Sequence, residues 1–259
     1  MAKLGQHFLT DKHALEEIAS LLDLEKNDFV VEIGPGHGEL TEKIAVSGCA
    51  ITAIERDELL AETLREKFFG NEKIKIITGD ALKILSDEKI WNSESAGYKI
   101  AGNIPYYITG KLLRTIGELD EKPSVTVLTI QKEVAERLSA KPPKMNRLAA
   151  SVQFWAEPEI AIVLPKSVFH PAPEVDSATI VLKPTPERKI KPDAYYEIVR
   201  ALFSQPRKTI LNNISGALKI PKGEIEIILK KSGIDATLRP QNLSIDNIFE
   251  LASVFASVK

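Results

Sequence analysis

The sequence contains a single cysteine, Cys49, among 259 residues. One thiol excludes an internal disulfide and a metal site built from several cysteines, and it fits a reducing compartment. Long apolar runs are also missing. The start, MAKLGQHFLTDKHALEE, has no stretch of signal-peptide length, and no other stretch could span a bilayer. We therefore expect a cytoplasmic protein with no membrane partner. We also expect a monomer that uses no metal.

The net charge is only −2, but its distribution along the chain is uneven. Residues 183–259 contain 13 Lys and Arg against 8 Asp and Glu, a balance of +5. Residues 1–182 contain the remaining 21 basic and 28 acidic residues, a balance of −7. A basic end on an acidic body indicates a polyanionic partner, although ordinary solvated helix faces would give the same pattern.

Short β-rich runs alternate with helical patterns from residue 28 onward. The strand candidates are DFVVEI (28–33), AITAIE (50–55), KIKIIT (73–78), YKIAG (98–102) and SVTVLTI (124–130). Between them lie segments such as DELLAETLREKFF, whose apolar residues recur three and four apart. Strands separated by helices of this length predict βαβ units and an α/β fold with a parallel, doubly wound sheet.

The pattern changes after residue 155. PEIAIVLP and SATIVLKP are two strands joined only by KSVFHPAPEVD, and loops of that length are often functional. KPTPERKIKPD (183–193) has the prolines and charges of a linker, and every later segment has helical spacing. The sequence thus predicts a catalytic domain at 1–185 and a small all-helical domain at 186–259.

The first strand runs into the glycine-rich turn VEIGPGHGEL. Gly34, Gly36 and Gly38 allow positive φ angles and close approach of the backbone to a ligand at the start of a helix. A dinucleotide fingerprint would need a third glycine at the position of Glu39, and an acidic side chain there suits a pyrophosphate poorly. A purely structural tight turn remains an alternative.

Two carboxylates follow the next two strands. Glu55 ends AITAIE and could accept hydrogen bonds from ribose hydroxyls, and Asp80 follows KIKIIT and could accept one from an adenine amino group. Ligands of open α/β sheets bind at these strand ends, although a lone carboxylate there is often a helix N-cap, a role that Asp57 could fill after the second strand. The combination indicates a nucleoside cofactor without a pyrophosphate, for which S-adenosylmethionine is the natural candidate.

The segment NIPYY (103–107) follows the fourth strand. Asn103 offers a side-chain oxygen and Pro105 a carbonyl, and together they could accept hydrogen bonds from an adenine amine and free its lone pair for methylation. Tyr106 offers a flat face on which a base could stack. Asparagine cannot act as a general base, so this mechanism would depend on positioning and electrostatics. A plain X-Pro turn is the alternative, and Tyr107 is expected to be packing.

Phe169, in the long loop, is the candidate for the opposite wall of the base pocket. Pro171 and Pro173 would stiffen that loop. Aromatic rings on both sides match how enzymes hold an extruded base. Hydrophobic packing beneath the loop is the alternative for Phe169.

The motifs together resemble those of the ribosomal RNA adenine N6-dimethyltransferases. They occur in the same order as in that family: GQHFL (5–9), EIGPGHGELT (32–41), GDAL (79–82), NIPY (103–106), QKEVAERL (131–138), VFHPAPEVDS (168–177), LFSQPRKTILNNI (202–214) and RPQNLSIDNIFELA (239–252). The likeness covers nearly the whole chain. The C-terminal segments resemble the KsgA-type small-subunit enzymes rather than the antibiotic-resistance methylases that act on large-subunit RNA.

The resemblance implies a class I, Rossmann-like methyltransferase fold that uses S-adenosylmethionine and releases S-adenosylhomocysteine. Two methyl groups would go to each of two adjacent adenines near the 3′ end of small-subunit ribosomal RNA, with the assembling small subunit as partner. The residues it implies for the cofactor are His7, Leu9, Gly34, Gly36, Glu55, Asp80 and Asn103. Those for the target base are Asn103, Pro105, Tyr106 and Phe169.

The chain departs from the family pattern at three places. His7 stands where Asn is common, AKPPKMNRLA (140–149) lacks the usual glycines and tyrosine, and Pro206 replaces a frequent arginine. The basic residues that we expect to contact RNA phosphates are Lys141, Lys144, Arg147, Arg207 and Lys208. Such contacts position the RNA without reading its sequence.

Two other functions stay open at the level of the sequence. A small-molecule methyltransferase on the same sheet would need an element covering its substrate in place of the basic helical end. A non-catalytic RNA-binding assembly factor would not need the intact set of Gly34, Glu55, Asp80 and NIPY.

Overall fold

The computed structural model describes residues 7–86, 97–186 and 189–258. Gly5 and Gln6 of the GQHFL motif lie outside these ranges. The strands among the described residues are β1 (Phe8–Leu9), β2 (Phe29–Ile33), β3 (Ala50–Glu55), β4 (Ile74–Thr78), β5 (Lys99–Asn103), β6 (Val125–Gln131), β7 (Ala156–Leu164), β8 (Phe169–His170) and β9 (Ser177–Pro184). The five strands predicted between residues 28 and 130 are confirmed, each end within one residue.

The helices of the described residues alternate with the strands and then follow them. They are α1 (Lys12–Ser20), α2 (Glu39–Ala45), α3 (Glu58–Lys67), α4 (Ala81–Leu85), α5 (Thr109–Glu118), α6 (Lys132–Leu138), α7 (Arg147–Val152), α8 (Pro192–Leu202), α9 (Ile210–Leu218), α10 (Lys222–Lys231) and α11 (Ile245–Val258). Of these described helices, none is long and apolar enough to cross a membrane.

Seven of the strands form one sheet in the order β4-β3-β2-β5-β6-β9-β7. The pairs from β4 through β6 are parallel, whereas β9 runs antiparallel to β6. From β2 the chain first adds β3 and β4 on one side and later β5 and β6 on the other. This reversal makes a topological switch point at the carboxyl ends of β2 and β5, where open α/β sheets bind ligands. The predicted Rossmann-like α/β fold is confirmed.

The central strands are apolar because the sheet is covered on both faces. All five residues of β2, FVVEI, are buried, and so are five of the six residues of β3. Val30, Ile51 and Ala101 from three adjacent strands belong to one buried cluster with residues of α1 and α2. Asp57 begins α3 by accepting hydrogen bonds from the amides of Leu59 and Leu60, the capping role that the sequence allowed. The core thus holds the carboxyl ends of the strands in fixed positions.

The chain divides into two compact units whose boundary differs from the single predicted boundary near residue 185. One unit contains Met1–Ala135 and Glu157–Pro184, and the other contains Glu136–Ala156 and Thr185–Lys259. The segment before β7 joins the helical unit because α7 packs on α8. The fully buried Tyr195 donates its hydroxyl to the Ala150 carbonyl at 2.8 Å and stacks on Phe154, with ring centroids 4.4 Å apart.

Candidate active site

A cavity of about 330 Å³ opens at the carboxyl ends of the parallel strands of the sheet unit. Its lining includes the predicted residues His7, Gly34, Gly36, Glu55, Asp80, Asn103, Pro105, Tyr106 and Phe169. The most distant of these residues, His7 and Phe169, are more than 160 positions apart in the sequence, and the fold brings them to one cavity. The structure therefore groups nine of the predicted cofactor and base residues around one cavity.

The glycine-rich turn has a backbone conformation that residues with a Cβ atom rarely adopt. Gly34, Gly36 and Gly38 have φ angles of +67°, +62° and +84°, all in the left-handed region. A Cβ added at Gly36 would lie 2.9 Å from the ring of Phe8, so the turn is also tightly covered there. The backbone of this turn faces the cavity. Its glycines thus satisfy a structural need and leave room for a ligand.

Glu55 ties the glycine turn to the end of β3. Its two carboxylate oxygens accept hydrogen bonds from the Gly36 amide at 3.1 Å and the Asp57 amide at 2.9 Å. The residue is only 3% exposed, and this burial raises the pKa of its carboxyl. A carboxylate has about four acceptor positions, so two remain for other donors at the cavity. Glu55 can therefore accept hydrogen bonds from a pair of ribose hydroxyls.

Asp80 has the helix-capping role that the sequence allowed as an alternative. One of its oxygens accepts the Leu82 amide at 3.0 Å and begins α4. The residue is half-buried and lines the cavity. Because one carboxylate oxygen is engaged in the cap, the second can still accept a hydrogen bond from a ligand amine. Capping and ligand binding are compatible at this position.

Asn103 ends β5 with its side-chain amide held in one orientation. Its Nδ2 donates a hydrogen bond to the main-chain carbonyl of His7 at 2.8 Å, and a carbonyl can only accept. The side-chain oxygen is therefore the group left to accept from a ligand. The carbonyl of Pro105, the second predicted acceptor, already accepts the amide of Ile108 at 3.1 Å. Only its second lone pair is available for a substrate amine.

Tyr106 and Tyr107 have different surroundings. The hydroxyl of Tyr106 lies 3.0 Å from that of Ser177, a fully buried residue at the start of β9. The expectation that Tyr107 is packing is wrong, because its side chain is 56% exposed and lines the cavity. The two rings differ because residues 106–108 form one turn of 3₁₀ helix, in which consecutive side chains diverge.

Phe169, His7 and Leu9 meet where β1 pairs with β8. Phe169 is 4% exposed, belongs to the sheet core and still lines the cavity, so packing and a wall of the pocket are compatible. His7 lines the cavity and donates from Nδ1 to the Pro171 carbonyl at 2.7 Å. The side chain of Leu9 is buried in the core and is absent from the lining of this cavity. Leu9 instead lines a smaller cavity together with Gly34, Gly36 and Asn103, three of the other cofactor candidates.

The five basic residues predicted to contact RNA all lie in the helical unit and are exposed. Asn146 shapes the first basic loop by capping α7 and donating from Nδ2 to the Arg137 carbonyl at 2.9 Å. Buried Asn213 shapes the second basic loop, which contains Arg207 and Lys208. Its side-chain amide donates to the carbonyls of Leu202 and Gln205 at 2.8 and 3.0 Å. Neither asparagine was singled out from the sequence, because its role depends on loop carbonyls that no sequence pattern identifies.

The sequence also did not single out several groups in and beside the cavity. Arg56 and Lys111 are exposed basic residues in its lining. Glu32 is buried in β2 and accepts the Thr41 hydroxyl at 2.6 Å, and burial raises the pKa of its carboxyl to about 7. Its position in an apolar strand two residues before Gly34 is the one signal that could have marked it. In the described part of the chain, no group of three or more His, Cys, Asp or Glu could hold a metal ion.

The sequence matches the model of the family described as "Ribosomal RNA adenine dimethylase" over residues 1–257. It is 36% identical to "Ribosomal RNA small subunit methyltransferase A" of Dehalococcoides mccartyi, covering 98% of this chain and 87% of the relative. It is 38% identical to the protein of the same name from Lactobacillus acidophilus, covering 96% and 89%.

Two solved structures share the fold over almost the whole chain. A dimethyladenosine transferase from Plasmodium falciparum has a TM-score of 0.83 at 23% identity, covering 97% of this chain and 98% of that one. The 23S rRNA methyltransferase ErmE has a TM-score of 0.75 at 24% identity, covering 96% and 99%. These two matches show the shared fold, and the family model and the sequence relatives identify the chain. It belongs to the ribosomal RNA adenine dimethylase family of S-adenosylmethionine-dependent methyltransferases.

Proposed function

We propose that this protein transfers methyl groups from S-adenosylmethionine to N6 of two adjacent adenines of small-subunit ribosomal RNA, two methyl groups to each. The relatives named as small-subunit methyltransferases support the choice of subunit. The observation that carries the proposal is the fixed amide of Asn103, whose oxygen is left as an acceptor in a cavity that also contains a nucleoside-binding set.

The residues of the cavity fit the cofactor by their chemistry. Gly34 and Gly36 offer an open backbone, Glu55 keeps acceptor positions for hydroxyls, and Asp80 keeps an oxygen for an amine. Two carboxylates at neighbouring strand ends would repel a pyrophosphate, so a dinucleotide fits poorly. When bound, S-adenosylmethionine supplies an electrophilic methyl group attached to a sulfonium.

The target amine needs help because its lone pair is delocalised into the adenine ring. The side-chain oxygen of Asn103 and the second lone pair of the Pro105 carbonyl would each accept one N–H of that amine. Hydrogen bonds in those directions favour a pyramidal nitrogen and free the lone pair for attack, and the proton leaves after the methyl group has been transferred. Tyr106, anchored by Ser177, and Phe169 would hold the two faces of the base.

The exposed basic residues of the helical unit would contact RNA phosphates. Among the described residues, none of Lys141, Lys144, Arg147, Arg207 and Lys208 forms a salt bridge, so their charges are available to a polyanion. The helical unit thus supplies affinity and the cavity selects the adenine. We infer that the protein works in the cytoplasm, where its substrate would be an assembling small subunit.

Methyl transfer to isolated subunits tests this function. The protein is incubated with methyl-labelled S-adenosylmethionine and unmethylated small subunits, and the RNA is digested to nucleosides. We expect labelled N6,N6-dimethyladenosine approaching two nucleosides per subunit. Large subunits are the matched control and should stay unlabelled. An absence of dimethyladenosine in the small subunit would contradict the proposal and favour a non-catalytic assembly role. Label found only in large subunits would show that the protein methylates large-subunit RNA instead.

A further inference from the structure

Tyr107 is an exposed aromatic residue at the edge of the active-site cavity. Its side chain is 56% exposed, yet it belongs to the lining that also contains Asn103 and Tyr106. A large ring left this exposed contributes little to the buried core. Its position beside a ligand cavity indicates a role in binding instead.

The local backbone conformation points the side chains of Tyr106 and Tyr107 in different directions. Residues Tyr106–Ile108 form a 3₁₀ turn, which the Ile108 amide closes by donating to the Pro105 carbonyl at 3.1 Å. With three residues per turn, neighbouring side chains point about 120° apart. The Tyr106 hydroxyl is anchored to Ser177, which fixes the direction of the Tyr106 ring. The Tyr107 ring therefore points elsewhere and would contact a different part of the RNA from the base that stacks on Tyr106.

Lys111 places a positive charge in the same cavity lining as Tyr107. It lies four residues later, in the first turn of α5, is exposed and lines the same cavity. Lys111 forms no salt bridge with the residues that the structure describes. An exposed aromatic ring and an ammonium group without a salt bridge, both in the lining of one cavity, suit one nucleotide, with the base on the ring and the phosphate on the charge.

We propose that Tyr107 and Lys111 bind the nucleotide adjacent to the target adenine, with its base stacked on Tyr107 and its phosphate paired with Lys111. The proposal rests on the proposed function, in which the target base leaves its stack to enter the cavity. That movement uncovers one face of the neighbouring base, and an aromatic ring at the rim replaces the lost partner. When both targets are adenines, the neighbour is a purine with a large stacking face in each round.

Replacing Tyr107 tests the stacking contact. We expect Tyr107→Ala to raise KM for unmethylated small subunits about 10-fold, within the range that loss of one base–aromatic stack produces. The value of kcat should stay within about twofold, because the groups around the reacting amine are unchanged. Tyr107→Phe keeps the ring and should restore KM. Affinity for S-adenosylhomocysteine and the thermal unfolding midpoint are measured in parallel and should not change.

Changing the RNA identifies the contact as one to the neighbouring base. Subunits are reconstituted with uracil in place of one of the two adenines, since a pyrimidine stacks less well. The unaltered protein should bind the uracil-containing subunits more weakly than the natural ones. The size of this loss should be about the same as the loss that Tyr107→Ala causes on natural subunits. Tyr107→Ala should lose nothing further, because both changes remove the same contact.

Lys111 is tested by salt dependence. Lys111→Ala should weaken binding of either RNA equally and lower the slope of log affinity against log salt by about 1. The matched control is Lys83→Ala in α4, an exposed lysine outside the lining of the cavity, which should leave the slope unchanged.

Three outcomes would overturn the inference. The first is an unchanged KM for Tyr107→Ala, and the second is independent losses from Tyr107→Ala and the uracil substitution. The third is weaker binding of S-adenosylhomocysteine by Tyr107→Ala, which would assign the ring to the cofactor. If the unaltered protein itself makes no dimethyladenosine, the proposed function fails as well, and this result is distinct from the other three.

Discussion

The side-chain Nδ2 of Asn103 donates a hydrogen bond of 2.8 Å to the main-chain carbonyl oxygen of His7, 96 positions away in the sequence. The orientation of the acceptor that would contact the target amine therefore depends on the N-terminal segment. That segment is held in turn by the pairing of Leu9 with Phe169 and by the 4.5 Å contact between the rings of Phe8 and His37. Short contacts with the core thus fix the direction of a polar group in the active site.

The hydroxyl pair of Tyr106 and Ser177 should fix the ring that stacks on the base. A partly buried hydrogen bond of this kind contributes about 1 kcal/mol, so we expect Ser177→Ala and Tyr106→Phe each to slow single-turnover methyl transfer about fivefold. The double variant should be no slower than either single variant, because both remove the same bond.

Thr126→Val is the control for this comparison of the Ser177 and Tyr106 variants. It removes a buried β6 hydroxyl that has no hydrogen-bond partner among the described residues. Its transfer rate should be unchanged. If the two single losses multiply in the double variant, Ser177 does not act through Tyr106.

Gly36→Ala should damage the glycine turn in two ways. The residue has a φ of +62°, which costs a side chain about 1–2 kcal/mol, and the new Cβ would lie 2.9 Å from the Phe8 ring. We expect the free energy of unfolding to fall by about 2 kcal/mol and affinity for S-adenosylhomocysteine to fall at least about 10-fold. Denaturant unfolding and calorimetric titration measure these changes.

The matched control for Gly36 is Gly216→Ala in α9. Nothing lies within 4 Å of the position of its Cβ, and a helix interior favours alanine over glycine by about 0.5–1 kcal/mol. This variant should be slightly more stable and should bind the cofactor product normally. Equal behaviour of the two glycine variants would show that the turn at Gly36 has no special constraint.

Glu32 should make the protein less stable as the pH rises. Burial raises the pKa of its carboxyl from 4.5 to about 7, so the folded state binds the proton more tightly than the unfolded chain does. The free energy of unfolding should therefore fall between about pH 4.5 and pH 7, by about 3 kcal/mol in total. Burial also raises the pKa of Glu55, which contributes in the same direction, so a difference between variants is needed.

Glu32→Gln removes the titrating group and keeps a partner for the Thr41 hydroxyl. Its stability relative to the unaltered protein should improve by about 3 kcal/mol between pH 4.5 and pH 8 in denaturant unfolding. Glu62→Gln, an exposed change in α3, should give no pH-dependent difference. A pH-independent difference for Glu32→Gln would mean that the buried carboxyl titrates as it does in water.

Arg207 and Lys208 should contribute electrostatic affinity for RNA. Replacing both with alanine should lower the slope of log affinity against log salt by about 2, and each single replacement by about 1. The charge-matched control replaces Lys230 and Lys231, an exposed basic pair at the end of α10. If the control lowers the slope as much, binding depends on total charge and not on this loop.

The strands were predictable because their apolar content and spacing are local properties. β2 through β6 follow from runs such as DFVVEI, and the cavity carboxylates Glu55 and Asp80 follow from the positions at which those runs end. The pairing of β1 with β8 was not predictable, since each strand has two residues and its partner lies about 160 residues away. Two residues are too few for any periodicity.

The remaining differences between the sequence predictions and the structure concern contacts that cannot be read from a local stretch of sequence. The exposure of Tyr107 follows from a 3₁₀ turn, and the role of Ser177 follows from antiparallel pairing of β9 with β6. The segment Glu136–Ala156 joins the helical unit through contacts such as that between Tyr195 and Ala150. Each of these depends on tertiary contacts between distant parts of the chain.

Single-turnover methyl transfer by Asn103→Ala is the most direct test of the proposed chemistry. Enzyme and labelled S-adenosylmethionine in excess are mixed with unmethylated small subunits, and dimethyladenosine is followed over time. Loss of one preorganised hydrogen-bonding group typically slows chemistry about 100- to 1,000-fold, so we predict a loss of at least about 100-fold. Affinity for S-adenosylhomocysteine should stay within about threefold. A transfer rate equal to that of the unaltered protein would contradict the assignment of Asn103 as the acceptor that activates the adenine amine.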